Sequence, residues 1–228
     1  MTLKDIKQLY DFKVGAKVKQ YGILYVLRQS FFILIRAIYR TDSYVILSTD
    51  TKTTAITPDI NIIKLTSLKQ FKNLLVYNQL VWDIKRNVIE AMLKRDEIVF
   101  IVIDNNMICA YAGIQLEGKY KFGINTMMDI PNGFIMFKNL YVSIDYRGKA
   151  LGKYLNIVRI NDSHDERRKI VFVQKENIIA IKNWYKLGFK EIVSIRQTTL
   201  FKKFTTNHFS FTNSADNYKD LERVLNEL

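Results

Sequence analysis

The chain has 228 residues, with 35 Lys and Arg against 22 Asp and Glu, a formal charge of +13. Its 48% hydrophobic content, with 9 glycines and 2 prolines, excludes disordered, collagen-like and linker-rich chains. One cysteine, Cys109, excludes an intramolecular disulfide, and with only His164 and His208 beside it no metal site is expected.

The length suits one large domain, or one domain with an appendage. The positive charge fits nucleic acid, an anionic membrane surface or a polyphosphate cofactor. Lysine-rich composition in an AT-biased genome accounts for it equally well. The basic residues are spread along the chain with no recognition motif, so no nucleic-acid partner is expected.

From Tyr21 to Tyr39 the chain reads YGILYVLRQSFFILIRAIY. Arg28 and Arg36 would each cost about 2.5–3.5 kcal/mol in a bilayer, which offsets the apolar residues, so no spanning helix is expected. No small-residue cleavage site follows, which argues against a signal peptide. An amphipathic helix remains, packed on the protein's own core, on a partner, or on a membrane surface with help from Lys13, Lys17 and Lys19.

Residues 44–47 read as a strand and residues 51–58 as a polar linker. A strand is expected at 60–65, then helices at 67–76, with Ser67 as N-cap, and at 81–94. Strands at 97–103 and 107–115 form a hairpin around Asn105-Asn106. Residues 118–133 read as irregular, with Met127-Met128 on an apolar edge. A strand follows at 134–142, a helix at 150–160, a buried strand at 169–173 and a helix at 177–187. Strands at 190–196 and 199–204 close the sheet. A last helix is capped by Ser214 and carries Tyr218, Leu221, Leu225 and Leu228 on one face. This order describes an α/β chain with a mixed sheet and one parallel crossover, from 134–142 to 169–173. Trp82 and Trp184 are expected to pack, and Cys109 to be a buried, inert thiol.

Two segments carry chemistry. In NLYVSIDYRGKALG, residues 139–152, an apolar strand runs through a short turn into a helix. Small residues at 148, 150 and 152 let backbone N–H groups approach an anion, and Arg147, Lys149 and Lys153 add charge. The segment lacks both the GK[ST] of a Walker loop and the G-x-G-x-x-G of a dinucleotide site. In NIIAIKNWYKLGF, residues 177–189, a helix follows a buried strand and ends at Gly188, a C′ glycine.

Together the segments resemble the GNAT superfamily of acyl-CoA-dependent N-acetyltransferases. The family's Q/R-x-x-G-x-G/A is met by R-G-K-A-L-G, Arg147 to Gly152. Its N-x-x-A…-Y-x-x-x-G-F is met by Asn177, Ala180, Tyr185, Gly188 and Phe189, with Lys186-Leu187 before the glycine. The resemblance spans about Ile60 to Phe204. It implies a GNAT-like domain (51–206) whose splayed mixed sheet is flanked by helices; outside it, the pattern reads as an N-terminal helical extension (1–50) and a C-terminal amphipathic helix (207–228). One departure stands out. Ala150 replaces the first motif glycine, which is harmless if the backbone there is right-handed, as expected.

The resemblance further implies a cytoplasmic, bacterial transferase that moves the acetyl group of acetyl-CoA to a small-molecule primary amine. The pantetheine arm would pair with main-chain groups at Leu140, Tyr141 and Val142. The pyrophosphate would sit on Arg147, Gly148, Lys149, Ala150, Gly152 and Lys153. A backbone N–H near Tyr141 would hold the oxyanion, Tyr185 would protonate the CoA thiolate, and Asn177 would bind the pantetheine or the acid. No base is assigned. The family often places a carboxylate on the first splayed strand, where this chain has Lys138 and Asn139. Glu117, Asp129 and Glu176 read as solvated loop charges, and a water chain held by Asn139 serves equally. Two rivals stand beside the enzyme: a CoA-binding or interaction module without turnover, and a membrane-surface acyltransferase of envelope polysaccharide synthesis. The terminal helices offer contacts for a homodimer or cover the sheet.

Overall fold

A computed structural model of the chain describes residues 22–25, 28, 31, 35, 38–49, 60–123, 125–162, 167–212 and 218–228. The expected linker at 51–58, the Ser214 cap, His164, Lys13, Lys17, Lys19 and most of the 21–39 helix lie outside them. Two compact units are present, Met1–Asp42 with Gln197–Thr206, and Ser43–Arg196 with Asn207–Leu228. In the smaller unit, residues 23–25, 28, 31, 35 and 38 are helical. Its hairpin tip turns at Phe201 and Lys202, both at positive φ, and the Phe201 N–H donates to the Ile38 carbonyl at 2.6 Å. No helix among the described residues is long and apolar enough to cross a membrane.

The strands are β1 (Tyr39–Thr49), β2 (Ile62–Leu65), β3 (Gln79–Leu80), β4 (Ile98–Asp104), β5 (Met107–Gln115), β6 (Lys119–Phe122), β7 (Thr126–Asp129), β8 (Phe134–Val142), β9 (Arg168–Gln174), β10 (Lys190–Leu200) and β11 (Phe204–Phe211). The helices are α1 (Leu68–Tyr77), α2 (Arg86–Leu93), α3 (Leu151–Asp162), α4 (Ile178–Lys186) and α5 (Lys219–Asn226). The main sheet runs β11-β10-β1-β9-β8-β5-β4-β2, with β3 added beside β5, and β6 and β7 form a separate hairpin. β8 and β9 are parallel, whereas β1–β9, β5–β8, β4–β5 and β2–β4 are antiparallel. The expected crossover through α3 is therefore present.

Alternation divides the core. On β1, Val45 and Leu47 join Phe71 of α1, Ile89 of α2, Leu155 of α3 and Trp184 of α4 in one cluster. Tyr44 and Ile46 point the other way, joining Phe122, Met128 and, from α5, Leu221 and Leu225. β8 divides likewise, with Ile135 and Phe137 in the first cluster and Phe134 and Met136 in the second. Period-two patterning thus sets which cluster each residue of these strands joins.

Several expectations need correction. Residues 39–43 and 48–49 extend the short strand expected at 44–47, and Ser43–Thr49 pair inside the sheet of the larger unit. The irregular stretch is the β6–β7 hairpin. Met128 is buried there, while Met127 is half-exposed. The helix expected from residue 81 begins at Arg86, because Val81 to Ile84 form a turn. Trp82 does not pack, being 75% exposed. β10 continues to Leu200 without the expected break. Leu221 and Leu225 are buried, as the amphipathic pattern requires, but Leu228 is exposed.

Other local signals hold. Ser67 caps α1 in a capping box: its Oγ accepts from the Gln70 N–H at 3.3 Å, and Gln70 Oε1 accepts from the Ser67 N–H at 3.2 Å. Asn105 and Asn106 both take positive φ, as a two-residue hairpin turn needs. Cys109 is fully buried, and burial pushes its thiol up to about 11. Replacing Ser67 by Ala is expected to cost about 1 kcal/mol of stability, read from the urea midpoint at an unchanged slope.

Candidate active site

The parallel ladder between β8 and β9 holds from Phe134 opposite Arg168 to Phe137 opposite Val171, and then stops. Both strands continue, β8 to Val142 and β9 to Gln174, so their facing edges separate. The separation starts at an irregularity in β8. Against β5, Gly113 pairs with Lys138 and Tyr111 with Tyr141, leaving Asn139 and Leu140 in a bulge. Asn139 takes φ 51°, a conformation asparagine tolerates better than most residues. A cleft of about 340 Å³ opens there. Lys138, Asn139 and Leu140 line it from β8, Phe172 and Gln174 from β9, Asn177, Ala180 and Trp184 from α4, and Tyr120 from the hairpin.

The floor holds a charge that the sequence reading missed. Arg159 of α3 is fully buried and lines the cleft. Its guanidinium lies 4.8 Å from the ring centroid of Phe137 and 5.6 Å from that of Trp184. One Nη donates to the Gly113 carbonyl at 2.8 Å and the Lys138 carbonyl at 3.2 Å, and the other to Asn156 Oδ1. Gly113 and Lys138 face each other as the last regular β5–β8 pair before the irregularity, so Arg159 pins that end of the bulge. Its Nε is buried without a partner, and burial pushes its pKa down to about 9. A lone arginine at a helix position of otherwise apolar pattern was the available signal.

The opposite wall carries a second cation, which is half-buried. Lys138 Nζ donates to Glu97 Oε1 at 3.1 Å and to Gln115 Oε1 at 2.9 Å. Gln115 is held in that orientation because its Nε2 donates to the carbonyls of Glu117 and Lys119. Glu97, 1% exposed, also takes a hydrogen bond from Arg95 Nε at 2.7 Å. Burial presses the Lys138 pKa down while the Glu97 charge works against it. The Tyr120 ring centroid lies 5.6 Å from Lys138 Nζ, and burial raises that phenol to about 12.

Beside the cleft, β8 runs through a short 3-10 turn (Ile144–Tyr146) into the loop before α3. Gly148 and Ala150 both take positive φ, at 83° and 56°. Ala150 is thus left-handed, contrary to expectation. An alanine in that conformation bears strain of about 1–2 kcal/mol. A Cβ on Gly152 would meet the side chains of Leu140 at 3.6 Å and Val142 at 3.7 Å, so the start of α3 lies against the cleft wall. Lys149 Nζ sits 3.6 Å from Asp104 and 4.7 Å from the Tyr146 ring centroid. The turn before the loop is braced by residues expected in a helix. Asp83 Oδ2 accepts from the Tyr141 hydroxyl at 2.9 Å and the Ile144 N–H at 3.0 Å, and Trp82 Nε1 donates to Asp145 at 3.1 Å. Desolvation raises the Asp83 pKa, but the hydrogen bonds outweigh it and the net shift is downward.

The structure brings together Leu140 and Asn177 in the cleft, with Val142 and Gly152 in the adjoining wall. Asn177 caps α4, its Oδ1 accepting from the Ala180 N–H at 3.2 Å, which leaves Nδ2 for a ligand. Tyr141 is turned to Asp83 and stacks on Tyr111. Tyr185 does not line the cleft. It is 46% exposed, its hydroxyl is 3.4 Å from Glu191 Oε2, and burial and that carboxylate raise its pKa. Two residues separate Tyr185 from Gly188, and the position with three is Trp184, which is buried in the cleft wall. No carboxylate lines the cleft among the described residues, Glu117, Asp129 and Glu176 included.

Replacing Ala150 by Gly is expected to raise stability by about 1 kcal/mol, read by chemical unfolding, because glycine carries no Cβ penalty at φ 56°. Asp83 has a lowered folded pKa, so its contribution is present above 3.8 and is lost as pH falls through the folded value. The stability gap between the wild type and Asp83→Asn should therefore narrow below pH 3.8 in a series of urea titrations.

No family model and no curated protein matches the chain. Solved structures do. A GCN5-related N-acetyltransferase from Kribbella flavida matches at 11% identity and TM-score 0.45, over 86% of this chain and 66% of that one. An acetyltransferase of the GNAT family from Colwellia psychrerythraea matches at 13% and 0.45, over 80% and 62%. A functionally unknown conserved protein from Staphylococcus epidermidis matches at 11% and 0.48, over 76% and 65%. The chain covers less than two thirds of the length of each of these proteins. By its own strand order, its parallel β8–β9 pair and the separation beyond Phe137, the chain has a GNAT-like fold, a central mixed, splayed sheet flanked by helices.

Proposed function

We propose that this chain binds an acyl-CoA, acetyl-CoA in the first instance, and transfers the acyl group to an amine. The observation that carries the reading is the ladder that ends at Phe137 and Val171 while both strands go on, beside a loop whose Gly148 and Ala150 take positive φ. An extended pantetheine arm would pair with the free edge of β8 at Leu140 to Val142 as an added strand. The phosphates would rest on the N–H groups of residues 147–153, with Arg147, Lys149 and Lys153 supplying charge. Asn177 Nδ2 would meet the arm from the start of α4.

The amine nitrogen would attack the thioester carbonyl carbon, a backbone N–H of the β8 bulge would hold the oxyanion, and the C–S bond would break to release CoA thiolate. The ammonium must first lose a proton. With no carboxylate lining the cleft among the described residues, water is the acceptor this reading assigns. The thiolate is a good leaving group, and the cations Arg159 and Lys138 would favour its negative charge. Tyr185 is given no part in the proton transfer, because its hydroxyl is directed to Glu191.

A specific observation also favours binding without turnover: among the described residues, the cleft is lined by no carboxylate and by no tyrosine other than Tyr120, whose pKa burial raises to about 12. Titration of acetyl-CoA and CoA into the protein tests the common part of both readings. Micromolar binding is expected, and Gly152→Trp, which would drive a ring into Leu140 and Val142, should abolish it. Release of free CoA thiol with an amine panel then separates enzyme from binding module. Tyr185→Phe should lower that release far less than the roughly 100-fold loss that removing a general acid brings.

A further inference from the structure

The cleft is unbalanced in charge. Lys138 and Arg159 line it, and no Asp or Glu among the described residues does. The single charge of Glu97 is shared between Arg95 and Lys138 through the same Oε1 atom, so that group of three carries a net positive charge. Arg159 adds another, and its hydrogen bonds go to the two carbonyls and the Asn156 amide rather than to a carboxylate. Buried cations without a matching anion are costly, and a ligand that brings the anion removes that cost.

Lys138 is the one placed to use it. Its side chain is 11% exposed and lines the cleft. Two of its three N–H groups are committed, to Glu97 and to Gln115, and Gln115 is itself locked by two backbone carbonyls. The ammonium is thus held by two fixed hydrogen bonds, and its third N–H has no acceptor among them. A cationic acceptor such as a polyamine would meet repulsion there.

We propose that the molecule reacting in this cleft carries a carboxylate close to its reacting centre, and that Lys138 is the residue that selects it. The inference rests on the acyl-transfer reading above. The carboxylate has two sources, an amino-acid acceptor or an acyl chain that ends in a carboxylate, and both place the same group on the same N–H.

The test compares matched pairs. Transfer of acetyl from acetyl-CoA is measured to amino acids and to the corresponding amino-acid amides, and a neutral amine is offered succinyl-CoA against acetyl-CoA. In one of the two pairs the carboxylate member should be preferred in kcat/KM by about 10- to 100-fold, the value of one charge-assisted hydrogen bond. Lys138→Gln should bring that ratio near one, and Lys138→Glu should invert it. A variant that had merely lost stability would lower both members together and leave the ratio unchanged. A ratio near one in the wild type for both pairs, or a preference that survives Lys138→Gln, overturns the proposal while leaving acyl transfer in place. Absence of acyl-CoA binding by the wild type, read separately by titration, overturns the acyl-transfer reading and this inference with it.

Discussion

The site depends on one interrupted ladder. A parallel pair of strands in a sheet ordinarily satisfies every inward backbone group, and leaving such groups unpaired costs free energy unless something else meets them. β8 and β9 pair for four residues and then part, because β8 bulges at Asn139 and Leu140. Arg159 donates to the carbonyls of Gly113 and Lys138, the β5–β8 pair at which the bulge begins. Asparagine at φ 51° lets the backbone take the turn. The loop before α3, the cleft and the two cations Lys138 and Arg159 are all arranged around this break.

The charges near the break follow from it. A bulge frees carbonyls, freed carbonyls call for donors, and arginine supplies several from one planar group. Apolar rings on both sides, Phe137 and Trp184, exclude water from the guanidinium while offering it their faces. Lys138 lies on the other side of the sheet from Phe137 by simple alternation, and there Glu97 and Gln115 receive it. The two cations therefore flank the cleft from opposite faces of one strand. The brace at Asp83 and Trp82 holds the far end of β8, so the strand is fixed on both sides of the bulge.

Much of this was legible. The Phe134–Val142 strand, the α3 and α4 helices and the parallel crossover followed from periodicity and from Gly188, since alternation and helical caps are local properties. The two motifs located the loop and α4. Other features escaped. The β6–β7 hairpin turns at Gly123, which takes φ 60°, but Gly118, Pro131 and Gly133 around it give the same breaker signal, so the turn did not stand out. Trp82 and Asp83 looked helical because Val81, Ile84 and Val88 have helical spacing, yet long-range bonds to Asp145 and Ile144 hold them in a turn. Ala150 reads as a helix former, and the loop geometry overrides that preference.

By itself the sequence determined which segments bury their faces, where α1, α3 and α4 lie, and which residues stand at the turn between β8 and α3. Those properties depend on neighbours a few positions away. It could not determine which side chains meet across the cleft. Glu97, Gln115, Lys138 and Arg159 lie on four separate elements or their edges, and their encounter is set by strand register and by the bulge. A one-residue change of register would turn each strand's side chains to the other face. The same holds for Tyr185 and Trp184, adjacent in the chain: helix rotation of about 100° between them sends one into the cleft wall and the other toward Glu191. Tertiary packing of α4 on Phe137 and Phe189 decided which of the two faces the site.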